Sequence, residues 1–263
     1  MELEESLMDK IEVTAIKAML FREFAIWMKD KNSIFLRFIL QPGIATIAFG
    51  KIVAPHVNGG EGYNLIIITG IAMSFVMTFC MLNISNNVML GYNTRLFETW
   101  LCSPISIKGL VIGLVTGASL NGFVAGCVII SMNCIILGYP ILNILPSFPL
   151  IALSAVLFSC LACILYLAPA TPVGAQGIVP YYVLPMTNLG CVYYSYSMLP
   201  GGWSYVSSLI PMTYATEALR TAAGGGTLYG DLFDAYLTIF AAIIVSILAV
   251  FVIAQRRLGE YVW

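Results

Sequence analysis

Few side chains in this sequence are of a kind and spacing that do chemistry. The single histidine, His56, sits in the stretch APHVNGGEGYN, and one imidazole makes neither a metal site nor a catalytic triad. Cys160 and Cys163 have CxxC spacing, but they lie in LFSCLACILYL with no second pair and no histidine nearby. Small side chains packing in an apolar run explain them better than metal or redox chemistry does. The seven cysteines form no disulfide framework. No Walker-type phosphate loop, HExxH helix or GxSxG elbow occurs. Gly224-Gly225-Gly226 reads as a flexible joint. The chain is therefore expected to carry no catalytic residue, no cofactor and no metal of its own. Two acid–base pairs remain, Arg95 with Glu98 and Glu217 with Arg220. Each is spaced i, i+3, so each can pair on one helical face.

The elements that would position these pairs are membrane helices. Of the 263 residues 60% are hydrophobic and 10% charged, with a mean hydropathy of +0.92. A soluble domain carries roughly 25% charged residues, so most of this surface faces something other than water. A bilayer span needs about 20 mostly apolar residues. Six such runs cover about 33–54, 64–83, 108–137, 148–168, 178–198 and 232–254, the fifth interrupted by Pro180 and Pro185. The fold class is thus an all-α membrane protein, one transmembrane domain over 1–263. No signal peptide is expected, because the chain opens on the polar MELEESLMDK. Lys and Arg set the orientation. With the N-terminus inside, Lys10 to Arg37, Arg95, Lys108, Arg256 and Arg257 all lie inside, and only Lys51 and Arg220 lie outside. Both termini are then cytosolic and the protein sits in the cytoplasmic membrane.

Residues 10–31 read as an amphipathic helix in the interface plane, with Ile16, Leu20, Phe24 and Trp27 on one face and Glu12, Arg22, Glu23, Lys29 and Asp30 mostly opposite. It can lie on lipid, pack on the protein, or do both. The third span carries Gly109, Gly113 and Gly117, then Gly122 and Gly126. Small residues on one face allow close helix approach, and packing within the subunit is preferred over a dimer seam. No span has an acid at its centre, which argues against a proton-driven pump or an ion channel. Anything carried is large, amphiphilic or neutral, and the driving energy comes from elsewhere.

Two loops stand apart. The inner one, Ser85–Ile107, begins polar, forms a short helix over Thr94–Leu101 and stops at Ser103-Pro104. Glu98, Arg95, Phe97 and Trp100 suit docking to another protein. The outer segment Leu199–Asp231 is too apolar for an ordinary loop and too broken for a span. It reads as two short helices, 204–210 and 212–221, parted by Pro211, dipping into the outer leaflet as a re-entrant structure.

At these loops the chain resembles the ABC-2 type transporter permeases, the membrane subunits of ATP-binding-cassette exporters of drugs, lipids and polysaccharides. FREFAIWMKDKNSIFLRFILQP looks like the family's interfacial connecting helix running into its first span. LFETWLCSPIS matches its coupling helix, with Glu98, Ser103 and Pro104. Pro211, Tyr214, Glu217 and Arg220 match its outer signature. The loop Ala168–Gly177 carries no charge, so a second docking element is not expected there, and YYSYSMLP departs from the family's usual run before the signature. The resemblance implies a separate cassette ATPase that binds the ATP and Mg, a permease homodimer or heterodimer, contact with membrane lipids and no nucleic acid. The rival classes are a lipid-modifying membrane enzyme, which calls for clustered acids, His or Arg at one membrane face, and a non-transporting structural subunit.

Overall fold

The computed structural model describes residues 2–29, 32, 35–57, 60–94, 106–168 and 172–259. These residues are helical with short connections, and no strand occurs among them. The long helices follow from the apolar runs: a backbone in lipid must bond to itself, and a helix does so within one segment.

Helix α1 (Glu2–Lys29) leads into α2 (Leu36–His56), whose winding changes along its length. It is π-wound over Leu36–Leu40, α-wound over Gln41–Thr46 and π-wound again over Ile47–Val53, and it closes in a 3₁₀ turn at Ala54–His56. Pro42 and Pro55 cannot donate to the ladder, and such breaks are absorbed by local rewinding. Helix α3 (Gly60–Asn93) is the centre of the bundle, with Ile67, Ile71, Met73, Val76, Met77 and Ile84 almost wholly buried. Around it pack α4 (Ile107–Leu137) and α5 (Phe148–Leu167). The Ser106 hydroxyl caps α4 by accepting from the Gly109 N–H at 3.0 Å, and Gly138 ends it in the left-handed region with φ 71°.

Helix α6 (Pro172–Leu189) is followed by a tight turn, then α7 (Gly201–Ser208), α8 (Pro211–Ala222) and α9 (Leu232–Gly259). Helix α9 turns Phe233, Leu237, Ile244 and Leu248 outward, as suits a lipid-facing helix. Among the described residues five helices are long and apolar enough to cross a membrane: Leu36–His56, Gly62–Gly91, Ile107–Leu137, Ile141–Leu167 and Leu232–Arg256.

The differences from the sequence reading have physical causes. The second span was expected to end near residue 83 and give way to a polar loop; the helix continues to Asn93. Its polar Asn83 and Asn87 are held by side chains of α1 rather than by water. The fifth span was expected over 178–198, but α6 stops at Leu189 and is not among the five long apolar helices. A Cβ on Gly190 would collide with the Met186 carbonyl, and Cys191 is left-handed at φ 57°, so the chain turns sharply there. In α1, Phe24 is 59% exposed while Glu23 is buried. The face that meets the bundle is Met19 and Glu23, rotated from the apolar stripe read in the sequence. That rotation leaves Phe21 and Phe24 outward.

The glycines of α4 set these approaches. A Cβ on Gly113 would strike the Met19 sulfur, and one on Gly117 would touch Glu23 Cγ at 3.4 Å. Further along, Gly122 faces Cys80 and Ala155, and Gly126 faces Ile151 and Val76. These four glycines therefore serve packing within the chain.

Candidate functional site

The outer pair lies in the interior of the protein. Pro211 opens α8 at its first turn, where a missing N–H costs nothing. From there Glu217 and Arg220 fall one turn apart, and both are fully buried. Arg220 Nη1 donates to Glu217 Oε1 at 2.7 Å and to the Tyr194 carbonyl at 2.9 Å. Nη2 donates to the carbonyls of Cys191, of Val192 at 3.2 Å and of Ile66 at 3.3 Å. Nε donates to Thr69 Oγ1 at 3.2 Å. A guanidinium has five N–H groups in a rigid fork, and here the fork ties α8 to α3 and to the turn after α6.

Glu217 is equally engaged. Oε1 also accepts from the Tyr196 N–H at 3.1 Å. Oε2 accepts from the Thr227 N–H at 3.0 Å and the Thr227 hydroxyl at 3.2 Å. Burial alone raises the Glu217 carboxyl, but Arg220 and the Thr227 and Tyr196 N–H groups outweigh it and hold it below the ordinary carboxylate range. The pair is a structural clasp with no oxygen or nitrogen left over for a reaction. Tyr214 belongs to the same region: its hydroxyl donates to the Ser208 carbonyl at 2.8 Å, binding α8 to α7.

Gly224-Gly225-Gly226 is a fixed cap, where the sequence suggested a flexible joint. The Gly225 N–H donates to the Arg220 carbonyl at 2.9 Å, and Gly224 is left-handed at φ 86°. A Cβ on Gly226 would strike the Thr221 hydroxyl. This tight closure of α8 delivers Thr227 to Glu217. His56 is exposed, with Nδ1 3.0 Å from the Ile52 carbonyl. Cys160 and Cys163 are buried in α5.

A second polar node, missed in the sequence, joins α1 to α3. Asn83 Nδ2 donates to Glu23 Oε2 at 2.7 Å, and Asn87 Nδ2 donates to Glu23 Oε1 at 3.3 Å. Arg22 Nη2 donates to Glu23 Oε1 at 3.0 Å and to Asn87 Oδ1. The available signal was the i, i+4 spacing of two asparagines at the end of an apolar run. A third node lies deep in the bundle. Thr46 Oγ1 donates to Asn133 Oδ1 at 2.7 Å, and Asn133 Nδ2 donates to the Ile68 carbonyl at 3.2 Å, so α2, α3 and α4 share one network. Arg95, Phe97, Glu98, Trp100, Ser103 and Pro104, expected from the sequence to form the docking element, lie outside the described residues. The chain enters that loop directly from α3, whose last turn binds the Thr94 N–H to the Leu90 carbonyl at 3.0 Å.

Comparison with known proteins adds the context for this architecture. The model of the ABC-2 type transporter family matches residues 14–223. The Inner membrane transport permease YadH of Escherichia coli strain K12 is 27% identical over 207 residues, covering 74% of this chain and 80% of that protein. The protein of the same name from Shigella flexneri gives the same figures. The matched span takes in most of α1 and everything through α8, so it holds every residue of the three polar nodes except Thr227.

Proposed function

This chain belongs to the ABC-2 type transporter family, and from that premise we propose that it is the permease subunit of an exporter driven by ATP hydrolysed on a separate cassette subunit. The cargo is hydrophobic or amphiphilic, a drug, lipid or lipid-linked glycan, moved outward across the cytoplasmic membrane. One observation carries this reading most: a single family match runs through the connecting helix α1, the loop 95–105 and the signature helix α8.

In this reading six segments cross the membrane: α2, α3, α4, α5, α6 and α9. Two permease chains and two ATPase chains make the complex. The Lys/Arg asymmetry supports cytosolic termini, and burial of Arg220 in an ion pair removes one of the two cations that stood on the outer side. The loop 95–105 docks the ATPase, with Glu98 as its main electrostatic contact and Phe97 and Trp100 as apolar anchors. Helix α8 is a rigid outer plug rather than a moving part, because its clasp leaves no donor or acceptor idle. Glu23, Asn83 and Asn87 tie the connecting helix to α3, the helix that runs into the docking loop. The direct test is expression with and without the cassette partner. The chain should co-purify with that partner and hydrolyse no ATP without it.

A further inference from the structure

Helix α2 is clamped at its middle and wound wide on both sides. The α-wound turn Gln41–Thr46 buries Pro42, Gly43 and Thr46. Thr46 Oγ1 donates to Asn133 Oδ1 at 2.7 Å, and Asn133 Nδ2 donates to the Ile68 carbonyl at 3.2 Å. On either side of this clamp the ladder skips a residue. The Gln41 N–H donates to the Leu36 carbonyl and the Ala54 N–H to the Phe49 carbonyl, each five residues back.

The first wide run has a cause in its own sequence. Pro42 lacks an N–H, and its ring crowds the Phe38 carbonyl four residues back. The second run, Ile47–Val53, has no such cause over most of its length. Pro55 crowds only the Lys51 carbonyl, and every residue of IAFGKIV carries an N–H. What this run meets is other elements. A Cβ on Gly50 would collide with Leu137 at the end of α4. The Phe49 ring lies on Tyr193, with centroids 4.6 Å apart and planes tilted by 32°. Tyr193 sits in the turn that Arg220 holds through the Val192 and Tyr194 carbonyls. The wide winding of the second run is thus set from outside it.

A π-turn carries one residue more than the α-turn it replaces. With Thr46 fixed, a return to α winding carries the chain past the run round by about one residue position, roughly 100° and 1.5 Å. That draws Ala54, now 3% exposed, from its seat and loosens Phe49 from Tyr193. Little opposes the change. Ile47, Ile52 and Val53 are already exposed, and so is Lys51, the only polar side chain of the run.

We propose that Ile47–Val53 is a rewinding hinge. It switches between π and α winding about the fixed Thr46 and so closes and opens the contact of α2 with α4 and with the turn after α6. The hinge does not depend on the transport reading, because the switch is read on the chain alone.

The test is labelling of Ala54→Cys by a water-soluble maleimide, in the full chain stripped of native cysteines and held in detergent. It should label well above the rate of Ala72→Cys, a wholly buried control in α3. Deletion of Ile52 removes the surplus residue and fixes α winding without moving either flank, so it should slow Ala54→Cys to the control rate. Tyr193→Ala removes the stacked ring and should speed the labelling by roughly ten-fold. Deletion of Ile52 should also leave the thermal midpoint close to that of the parent chain, whereas deletion of Ile44 from the clamped turn should lower it. Labelling of the parent at the control rate overturns the proposal. So does a rate that the Ile52 deletion or Tyr193→Ala leaves unchanged, since that is the fraying of a helix end. An Ile52 deletion as unstable as the Ile44 deletion overturns it too, because the run then holds no surplus residue.

Discussion

Removing one partner of the Glu217–Arg220 pair leaves the other charge in a site that water does not reach. Breaking a buried pair in this way costs about 3–5 kcal/mol. On the scale of folded domains of this size, that lowers a thermal midpoint by roughly 6–20 °C. Glu217→Gln and Arg220→Met should each show a loss in this range. The double variant is more informative. In an isolated pair, removing both charges would restore much of the stability. Here Arg220 also holds the carbonyls of Ile66, Cys191, Val192 and Tyr194, and these lose their donor in any variant without the guanidinium. The double variant should therefore be about as unstable as Arg220→Met alone, far short of the sum of the two single losses. The assay is thermal denaturation of the detergent-purified protein, read by fluorescence-detected size exclusion. Losses under about 1 kcal/mol that simply add, as for an exposed ion pair, would refute the reasoning.

Gly113→Leu should push Met19 and α1 away from α4 and cost about 1–3 kcal/mol, read as a lower thermal midpoint; an unchanged midpoint would mean the two helices do not meet as described. Glu98→Lys should leave the chain inserted and folded but release its ATPase on co-purification, and a charge reversal on the partner should restore the complex. A wild-type yield of complex from Glu98→Lys alone would remove Glu98 from the docking surface. A cysteine at Gly230, which is exposed with open space for a side chain, in a chain stripped of native cysteines should label from outside intact cells, and one at Asn93 only after permeabilisation. Outside labelling at Asn93 would invert the proposed orientation.

The long helices were legible because hydropathy is a bulk property, and five of the six expected spans correspond to the long apolar helices, with boundaries shifted by up to eight residues. The departures arise where a local signal depends on a distant partner. Asn83 and Asn87 read as the start of a loop because nothing nearby in the sequence shows that Glu23, some sixty residues earlier, will bury them. The fifth run, though interrupted by Pro180 and Pro185, reads on to residue 198 because the turn at Gly190 and Cys191 is held from a distance by Arg220, which binds the Cys191 carbonyl. Glu217 and Arg220 were legible as a pair from their spacing. Their full burial was not, because it requires the loop carbonyls and Thr227 to arrive together. The three glycines after α8 read as flexible for the same reason: glycine permits both a joint and a tight cap, and only the packing decides which.

The central claim is that this chain transports with energy supplied by another polypeptide. ATP hydrolysis in liposomes measures it most directly, comparing the chain alone, the cassette partner alone and the two reconstituted together. The account predicts no hydrolysis from the chain alone and a vanadate-sensitive rate from the pair that depends on the presence of this chain. Hydrolysis intrinsic to the purified chain, or a partner whose rate and association with liposomes are unchanged by it, would contradict the account.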